Sequence, residues 1–255
     1  MKRSERQHLK ENPFAEFVFG LREATIGHSR QATVAVVLIA AAAVAAGGYL
    51  YWQSRRTVNA EAALAAAISV AETPVVAPAP AGTPNQPAQG AGTFPSERAR
   101  LEAALPKFLD VAAAYGSTDA ATTALYQAAG ALCSLGRLPE AEQRYREVIA
   151  RDTGGVYGEM AQLGLADVYR AMGQADKAIE IYQKLSTAAD TRLPTDGVLL
   201  QLARTYAKAG KTEDAARTYT RIVEEFPPSL PLQSCLVLQV KQFRPVLSRS
   251  GFQLL

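Results

Sequence analysis

Few side chains in this 255-residue sequence could act as catalytic nucleophiles, general bases or metal ligands. The two histidines, His8 and His28, both lie in the N-terminal segment. A nucleophile activated by a histidine base therefore cannot be assembled in the rest of the chain. The two cysteines, Cys133 and Cys235, make neither a zinc-ligand cluster nor a disulfide framework. A bridge between them is disfavoured, because one falls in a helical pattern and the other in an irregular tail.

Motifs for phosphate binding and acid–base catalysis are missing as well. The glycine patterns of nucleotide-binding loops do not occur, and Gly154-Gly155 is too short to cradle a phosphate. Glu224 and Glu225 are neighbours on a predicted helix, so their carboxylates diverge into solvent. A net charge of +3 is too weak to indicate a nucleic-acid partner. We therefore predict a protein that is not an enzyme and uses no cofactor, metal ion, nucleic acid or small-molecule substrate.

The longest uncharged apolar stretch lies near the N-terminus. No charged residue occurs between Arg30 and Arg55, a gap of 24 positions, and a helix needs about 20 apolar residues to cross a bilayer. Three aromatic residues close the stretch, where the lipid headgroups would lie. They are Tyr49, Tyr51 and Trp52. We predict a transmembrane helix over residues 31–54, with the lipid bilayer as its partner.

A cleaved signal peptide and a buried helix of a soluble domain are the alternatives to a membrane anchor. A signal peptide has a short basic start and an apolar core of roughly 7–15 residues. Here a long polar segment precedes an apolar run that exceeds this range. A charge-free run of this length is unusual in a soluble helix. A lipoprotein signal is excluded, because no cysteine follows the run.

The distribution of lysine and arginine predicts the orientation in the membrane. Six basic residues precede the apolar stretch: Lys2, Arg3, Arg6, Lys10, Arg22 and Arg30. Only Arg55 and Arg56 follow it before Arg98. Because cytoplasmic flanks carry the excess of positive charge, residues 1–30 are predicted to be a cytoplasmic tail. The larger C-terminal part would then lie across the membrane, which in a bacterial inner membrane is the periplasm.

The rest of the sequence repeats itself at a fixed offset of 37 residues. Glycine, two alanines and a tyrosine recur at this spacing. They are Gly136, Gly173 and Gly210; Ala129, Ala166 and Ala203; Ala141, Ala178 and Ala215; and Tyr145, Tyr182 and Tyr219. Glycine ends the first helix of each unit, which we call helix A. The alanines allow helix A to cross the second helix, helix B, and the tyrosines fill the seam to the next hairpin. Stacked hairpins of this kind form an all-α solenoid.

These residues resemble the tetratricopeptide repeat (TPR), in which a glycine separates two helices with small and aromatic residues at fixed positions. The resemblance covers about residues 97–227 and ends at Phe226-Pro227, where the repeat has its proline. The period is 37 residues instead of 34, so we expect longer loops at 152–157 and 189–196. The residues at the position typical of tryptophan are Leu125, Gln162 and Leu199.

The order of the segments also resembles the ancillary SecYEG translocon subunit family, which has a short tail, one membrane helix, an alanine-rich helix and then such repeats. In that comparison residues 55–72, helical over 57–71, provide helix A of a first hairpin, and 97–114 provide helix B. Residues 73–95 hold six prolines, three glycines and no charge. They are predicted to be a disordered linker inserted between these two helices.

Two segments complete the predicted domain organisation. Residues 96–227 make the TPR domain, with Ser96 as the N-cap of its first helix. Residues 228–255 make a divergent C-terminal tail. At the 37-residue offset three tail residues fall on core positions of helix A, which would allow a short capping helix. They are Leu236, Val240 and Phe243.

The resemblance to TPR proteins implies that binding occurs in a concave groove lined by the A helices. Projecting the repeat onto this sequence selects eight candidate residues. They are Tyr126, Cys133, Leu163, Asp167, Arg170, Leu200, Arg204 and Lys208. Their mixture of aliphatic, aromatic and basic groups suits an extended or helical peptide. The alternative for any one of them is an ordinary solvated position on a helix.

Three functions are compatible with this plan. The first is a membrane-anchored scaffold that binds proteins at the periplasmic face of the inner membrane and links a translocon to chaperones or clients. The second is a coordinator of a cell-envelope complex, in division or outer-membrane assembly. The third, an enzyme-regulatory module in the cytoplasm, requires the inverted topology.

Overall fold

The computed structural model describes residues 30–76, 92–188 and 190–226, which form eight helices. The helices are α1 (Arg30–Ala71), α2 (Glu97–Ala114), α3 (Asp119–Ser134), α4 (Leu138–Arg151), α5 (Val156–Ala171), α6 (Ala175–Thr187), α7 (Thr195–Lys208) and α8 (Thr212–Glu225). Within these ranges the only extended pairing is one bridge between Val75 and Phe94. The predicted all-α fold is confirmed. The expectations for residues 1–29 and 228–255, including Cys235 and the capping helix, lie outside the described residues.

The chain divides into two units, residues 1–58 and 59–255. The described part of the first unit is the beginning of α1, whose side chains from Val34 to Val58 are exposed except for the half-buried Val36 and Arg56. The segment Val34–Ala71 contains an 18-residue window of mean hydropathy 2.1, no residue of which is buried. Of the described helices, α1 is the one long and apolar enough to cross a membrane.

The second unit begins with the end of α1. Ala60 and Ala67 are buried there, and Ala67 belongs to the same apolar core as Leu105 and Phe108 of α2. The proline-rich segment leaves and re-enters the unit at one place. The Val76 amide donates to the Phe94 carbonyl at 2.9 Å, and the Phe94 amide donates to the Pro74 carbonyl at 3.2 Å. These bonds hold together the two ends of the described chain on either side of residues 77–91. The disordered linker expected over 73–95 lies mostly outside the described residues.

Small side chains let the helices of the second unit pack closely. From α2 to α8 each helix contacts the next, and α3 also contacts α5. The six alanines expected where helices A and B cross have no exposed surface. They are Ala129, Ala166, Ala203, Ala141, Ala178 and Ala215. A larger side chain at any of these positions would hold two helices apart.

Each hairpin turns at a glycine in the left-handed region. Gly136, Gly173 and Gly210 have φ angles of 76°, 78° and 76°. We number the three 37-residue hairpins α3–α4, α5–α6 and α7–α8 as first, second and third. In the first the Arg137 amide donates to the Leu132 carbonyl at 2.9 Å, and the equivalent bonds in the other two measure 2.8 and 2.9 Å. This pairing satisfies carbonyls that the helix end would leave without donors. Helix A therefore ends at glycine, as predicted.

Side chains mark the starts of α2 and α4. The Ser96 hydroxyl accepts a hydrogen bond from the Ala99 amide at 3.2 Å, which confirms the predicted N-cap. Pro139 lies in the first turn of α4, where its missing amide hydrogen costs no helical bond. The connections between hairpins run over residues 152–155 and 188–194, close to the longer loops expected from the 37-residue period.

Candidate functional site

The eight predicted groove residues lie on α3, α5 and α7, the A helices of the three hairpins. They are Tyr126 and Cys133 on α3; Leu163, Asp167 and Arg170 on α5; and Leu200, Arg204 and Lys208 on α7. On each helix they are three, four, seven or eight residues apart and so share one face. Arg204 and Lys208 are exposed, and the other six are half-buried. We call this set the helix-A face.

Three tyrosines pack together at the α3 end of the helix-A face. The Tyr126 ring lies 5.9 Å from the ring of Tyr145 of α4, in an edge-to-face arrangement, and 5.8 Å from the ring of Tyr157 of α5. Such tilted pairs are the favoured geometry for aromatic rings. Tyr145 is buried, whereas Tyr126 and Tyr157 are half-exposed. We call these three residues the tyrosine cluster.

A glycine on α5 makes the space for this cluster. A Cβ placed on Gly164 would come within 2.5 Å of Tyr145 Cζ, which is closer than any van der Waals contact. The ring from helix B of the first hairpin therefore reaches helix A of the second hairpin. This is the seam that the recurring tyrosines were predicted to fill.

Asp167 is the polar centre of the helix-A face. Its Oδ1 accepts a hydrogen bond from the Tyr182 hydroxyl at 2.7 Å and another from Arg170 Nη2 at 2.8 Å. The ion pair with Arg170 balances the charge of Asp167. The Nε of Arg170 is buried and has no hydrogen-bond partner within the described residues. The pair therefore presents a neutral, hydrogen-bonded surface.

Titratable groups around Asp167 are held in their protonated forms. Burial, and then the negative charge of Asp167, raises the pKa of the Cys133 thiol, although a hydrogen bond with Tyr145 lowers it slightly. Burial also raises the pKa of Tyr126, with smaller contributions from Tyr157 and Asp167. The pKa values of Tyr145 and Tyr182 are raised further, again chiefly by burial. A thiol with a raised pKa is a poor nucleophile, so this surface offers hydrogen bonds and contact area for binding.

The α7 end of the helix-A face is basic. Leu200 is half-buried and packs against the core. The exposed side chains of Arg204 and Lys208 make no ion pair or hydrogen bond within the described part of the chain. Arg204 stands one repeat after Asp167, and Leu200 one repeat after Leu163. The same helix position thus changes from acidic to basic between the second and third hairpins.

The structure adds three tyrosines to the predicted residues. Tyr145 and Tyr182 were expected in the seam, yet their hydroxyl groups also reach Cys133 and Asp167 on the A helices. Tyr157 was not predicted. It lies seven residues before Gly164 and hence on the same side of α5, a spacing that could have identified it. Across the described ranges no group of three His, Cys, Asp or Glu residues is placed to hold a metal ion.

Comparison with known proteins supports the interpretation of the hairpins. The tetratricopeptide repeat family model matches residues 159–224. No curated protein matches the chain by sequence. Among solved structures, nearly identical TPR-like repeats from Podosopora anserina, described as those of a putative kinesin light chain, have a TM-score of 0.50 and 18% identity. That match covers 59% of this chain and 80% of the other.

A tetratricopeptide repeat protein from Parabacteroides merdae has a TM-score of 0.47 and 16% identity, covering 59% of this chain and 56% of the other. At such identities the likeness to the repeats of Podosopora anserina shows the fold alone. Residues 159–224 thus match the tetratricopeptide repeat, within a longer run of helices whose fold is similar to that of TPR-like repeats.

Proposed function

We propose that this protein is a membrane-anchored TPR scaffold that binds other proteins through its helix-A face. The observation that carries the proposal is the shared side of the A helices α3, α5 and α7, which presents half-exposed rings, aliphatic side chains and two cations that form no ion pair within the described residues. A face of this composition offers both contact area and polar groups that can orient a peptide. Its raised thiol and phenol pKa values favour binding over covalent chemistry.

The exposed beginning of α1 supports the anchor. The Arg55 guanidinium lies 5.3 Å from the centre of the Tyr51 ring, and that of Arg56 lies 5.3 Å from the centre of the Trp52 ring. Aromatic and basic residues of this kind stabilise the end of a transmembrane helix at the headgroup level. In the same region the rings of Tyr49 and Trp52 are 6.2 Å apart.

We place the scaffold at the periplasmic face of a bacterial inner membrane. The support is the excess of lysine and arginine before the apolar stretch, six residues against two. The order of anchor, alanine-rich helix and repeats favours a role beside the secretion translocon, where the face would hold chaperones or client proteins. A role in a division or outer-membrane assembly complex would use the same face with other partners.

Site-specific photocrosslinking in intact cells tests the proposed face. A photoreactive amino acid at Leu163, in the middle of the helix-A face, should crosslink to a defined partner. The same amino acid at the exposed Lys184 of α6 is the control and should not. Mass spectrometry then separates the two roles, since translocon or chaperone subunits support the first and envelope-assembly proteins the second. Equal crosslinking at both positions would refute the proposed face.

A topology measurement tests the location independently of any partner. Alkaline phosphatase fused after Leu255 is active only outside the cytoplasm and should be active here. A tag at the N-terminus should remain protected from protease added to the periplasm. An inactive phosphatase fusion, together with an accessible N-terminal tag, would place the repeats in the cytoplasm and support the regulatory alternative.

A further inference from the structure

Two arginines follow the apolar stretch of α1, and each lies over an aromatic ring that precedes it by four residues. The Arg55 guanidinium is 5.3 Å from the centre of the Tyr51 ring, and Arg55 Nε donates a hydrogen bond to the Tyr51 hydroxyl at 3.0 Å. The Arg56 guanidinium is 5.3 Å from the centre of the Trp52 ring. Residues four apart are neighbours on a helix surface, so each ring restricts the positions that its guanidinium can take.

These four side chains lie on one side of α1. Successive residues of an α-helix are rotated by about 100°, so residues 51, 52, 55 and 56 fall within an arc of about 140°. The rest of the helix surface between residues 49 and 57 carries no charged side chain. Aromatic residues that only fix the depth of a membrane helix need no such one-sided arrangement. The four residues therefore form a discrete site, which we call the arginine–aromatic site.

The positive charge of this site is not balanced by neighbouring carboxylates along the chain. No aspartate or glutamate occurs between Glu23 and Glu61. Arg55 forms no ion pair within the described residues, where its hydrogen bond goes to the neutral Tyr51. Basic residues are in deficit on the translocated side of a membrane helix, yet the proposed orientation puts both arginines there. An anionic partner in the membrane would account for their presence.

The geometry leaves donors for a phosphate group. A guanidinium carries five N–H donors in its own plane, whereas contact with a ring uses the face of that plane. In Arg55 the Nε–H is bonded to Tyr51, which leaves the N–H groups of the two terminal nitrogens. Two of these can donate parallel hydrogen bonds to the oxygens of one phosphate. Lipid phosphates lie at the depth where aromatic residues close a transmembrane helix.

Resting on the proposed membrane anchor, we propose that the arginine–aromatic site binds the headgroup of an anionic phospholipid, in the leaflet at the C-terminal end of the apolar stretch. The lipid phosphate accepts hydrogen bonds from Arg55, and Arg56 adds a second positive charge. The rings of Tyr51 and Trp52 lie against the glycerol and the upper acyl chains. Charge complementarity selects a headgroup with a net negative charge, because a zwitterionic lipid carries an ammonium group that the guanidinium groups repel.

The tryptophan of the site reports lipid binding directly. Trp52 is the only tryptophan in the sequence, so all tryptophan fluorescence of the full chain comes from the site. The chain is reconstituted in phosphatidylcholine vesicles in which a fixed fraction of the lipid is brominated near the headgroup end of its acyl chains. Bromine quenches tryptophan on contact. Brominated phosphatidylglycerol should quench Trp52 about twofold or more as strongly as the same fraction of brominated phosphatidylcholine.

Removal of the two charges is the decisive variant. Arg55→Gln with Arg56→Gln should make the two brominated lipids quench Trp52 equally. Lys107→Gln with Lys184→Gln removes the same net charge at exposed positions of α2 and α6. This control should keep the preference for phosphatidylglycerol.

The ring beneath Arg55 has its own pair of variants. Tyr51→Phe keeps the ring and should keep the preference for phosphatidylglycerol. Tyr51→Leu should lower the preference although the charge is unchanged, because the guanidinium loses the surface that positions it. Equal effects of the two substitutions would show that the ring does not position Arg55.

The outcomes separate this inference from the proposed function. Equal quenching of the wild-type chain by the two brominated lipids would overturn the anionic-lipid site while leaving the anchor intact. An equal loss of preference in the two double variants would do the same. If neither brominated lipid quenches Trp52, the proposed membrane anchor itself is refuted.

Discussion

The ring of Tyr145 occupies the space that a side chain at position 164 would need. A Cβ on Gly164 would lie 2.5 Å from Tyr145 Cζ and 2.9 Å from its hydroxyl oxygen. The ring cannot move away freely, because it is 5% exposed and packs against Tyr126. Two hairpins are therefore joined by an aromatic side chain that fits only against glycine.

We expect Gly164→Ala to destabilise the repeat unit although it lies inside a helix. Alanine in a helix interior usually adds roughly 0.5–1 kcal/mol of stability relative to glycine. Overpacking a buried site costs about 1–3 kcal/mol, so the net loss should be about 1 kcal/mol. Urea unfolding of the chain in detergent, followed by circular dichroism, measures the difference.

Gly130→Ala is the matched control for this substitution. Gly130 is also inside an A helix, but a Cβ there would meet only the Tyr145 hydroxyl, at 3.9 Å. This contact is an ordinary one, so the helical gain should remain and the variant should be as stable as the wild type or more stable. If Gly164→Ala stabilised the chain as much as Gly130→Ala, the Tyr145 ring would be able to move aside without a loss of stability.

The hydrogen bond between Tyr182 and Asp167 should contribute measurably to stability. Tyr182 is fully buried and donates to the carboxylate at 2.7 Å. Tyr182→Phe should cost about 1–2 kcal/mol, because hydrogen bonds to charged groups are stronger than neutral ones. Tyr157→Phe is the control, since the Tyr157 hydroxyl has no hydrogen bond within the described residues.

A double-mutant cycle separates this bond from other effects of the substitutions. Asp167→Asn keeps the shape of the side chain and removes its charge. If the two groups act together, the double variant should lose about 1 kcal/mol less than the sum of the single losses. Strict additivity would mean that the charge of Asp167 does not strengthen the hydrogen bond, since an asparagine oxygen can still accept it.

The fold was predictable because its determinants are local and repeated. The turn glycines and the crossing alanines recur at one spacing, and their roles follow from backbone conformation and side-chain size. The positions of the helix-A face follow from the same spacing. The absence of net charge on the α5 part of the face was not predictable in this way, because it depends on which side chains bond to Asp167. One of them is Tyr182, fifteen residues away on another helix.

The tyrosine cluster is a second feature that could not be predicted from the sequence alone. The recurring tyrosines were assigned to the seam between hairpins from their repeat position. Whether the Tyr145 ring also reaches the helix-A face depends on the absence of a side chain at Gly164. This position has no equivalent glycine in the third hairpin, where Gln201 stands. Such pairwise fits vary from repeat to repeat and are visible only when the helices are packed together.

Alkaline pH should destabilise the repeats. The folded chain raises the pKa of Cys133, Tyr126, Tyr145 and Tyr182, chiefly by burial. Unfolding returns these groups to values of roughly 8.5 for the thiol and 10 for the phenols. The folded state then binds more protons than the unfolded state, so the free energy of unfolding is at its full value below these pKa values and falls as the pH rises through them.

Urea unfolding between about pH 7 and pH 11 measures this dependence. Cys133→Ser removes the thiol contribution and should flatten the start of the decline, between about pH 8 and pH 9.5. A free energy of unfolding that stays constant across the whole range would contradict the raised pKa values.

Equivalent tyrosines in successive A helices make the same contact with the preceding B helix, and their effects should add. Arg146 Nη2 donates to the Tyr169 hydroxyl at 2.8 Å, and one repeat later Gln183 Nε2 donates to the Tyr206 hydroxyl at 2.6 Å. Tyr206→Phe should cost about 0.5–1.5 kcal/mol, the usual net value of one hydrogen bond.

Tyr169→Phe should cost more than Tyr206→Phe, because the Tyr169 hydroxyl also donates to Glu142 at 3.1 Å. The two bonds join different pairs of hairpins, and stability in repeat proteins is approximately a sum over neighbouring interfaces. The double variant should therefore lose the sum of the two single losses within about 0.5 kcal/mol. Urea unfolding of the three variants measures these losses. A loss in the double variant clearly smaller than the sum of the single losses would show that the two interfaces unfold as one cooperative unit.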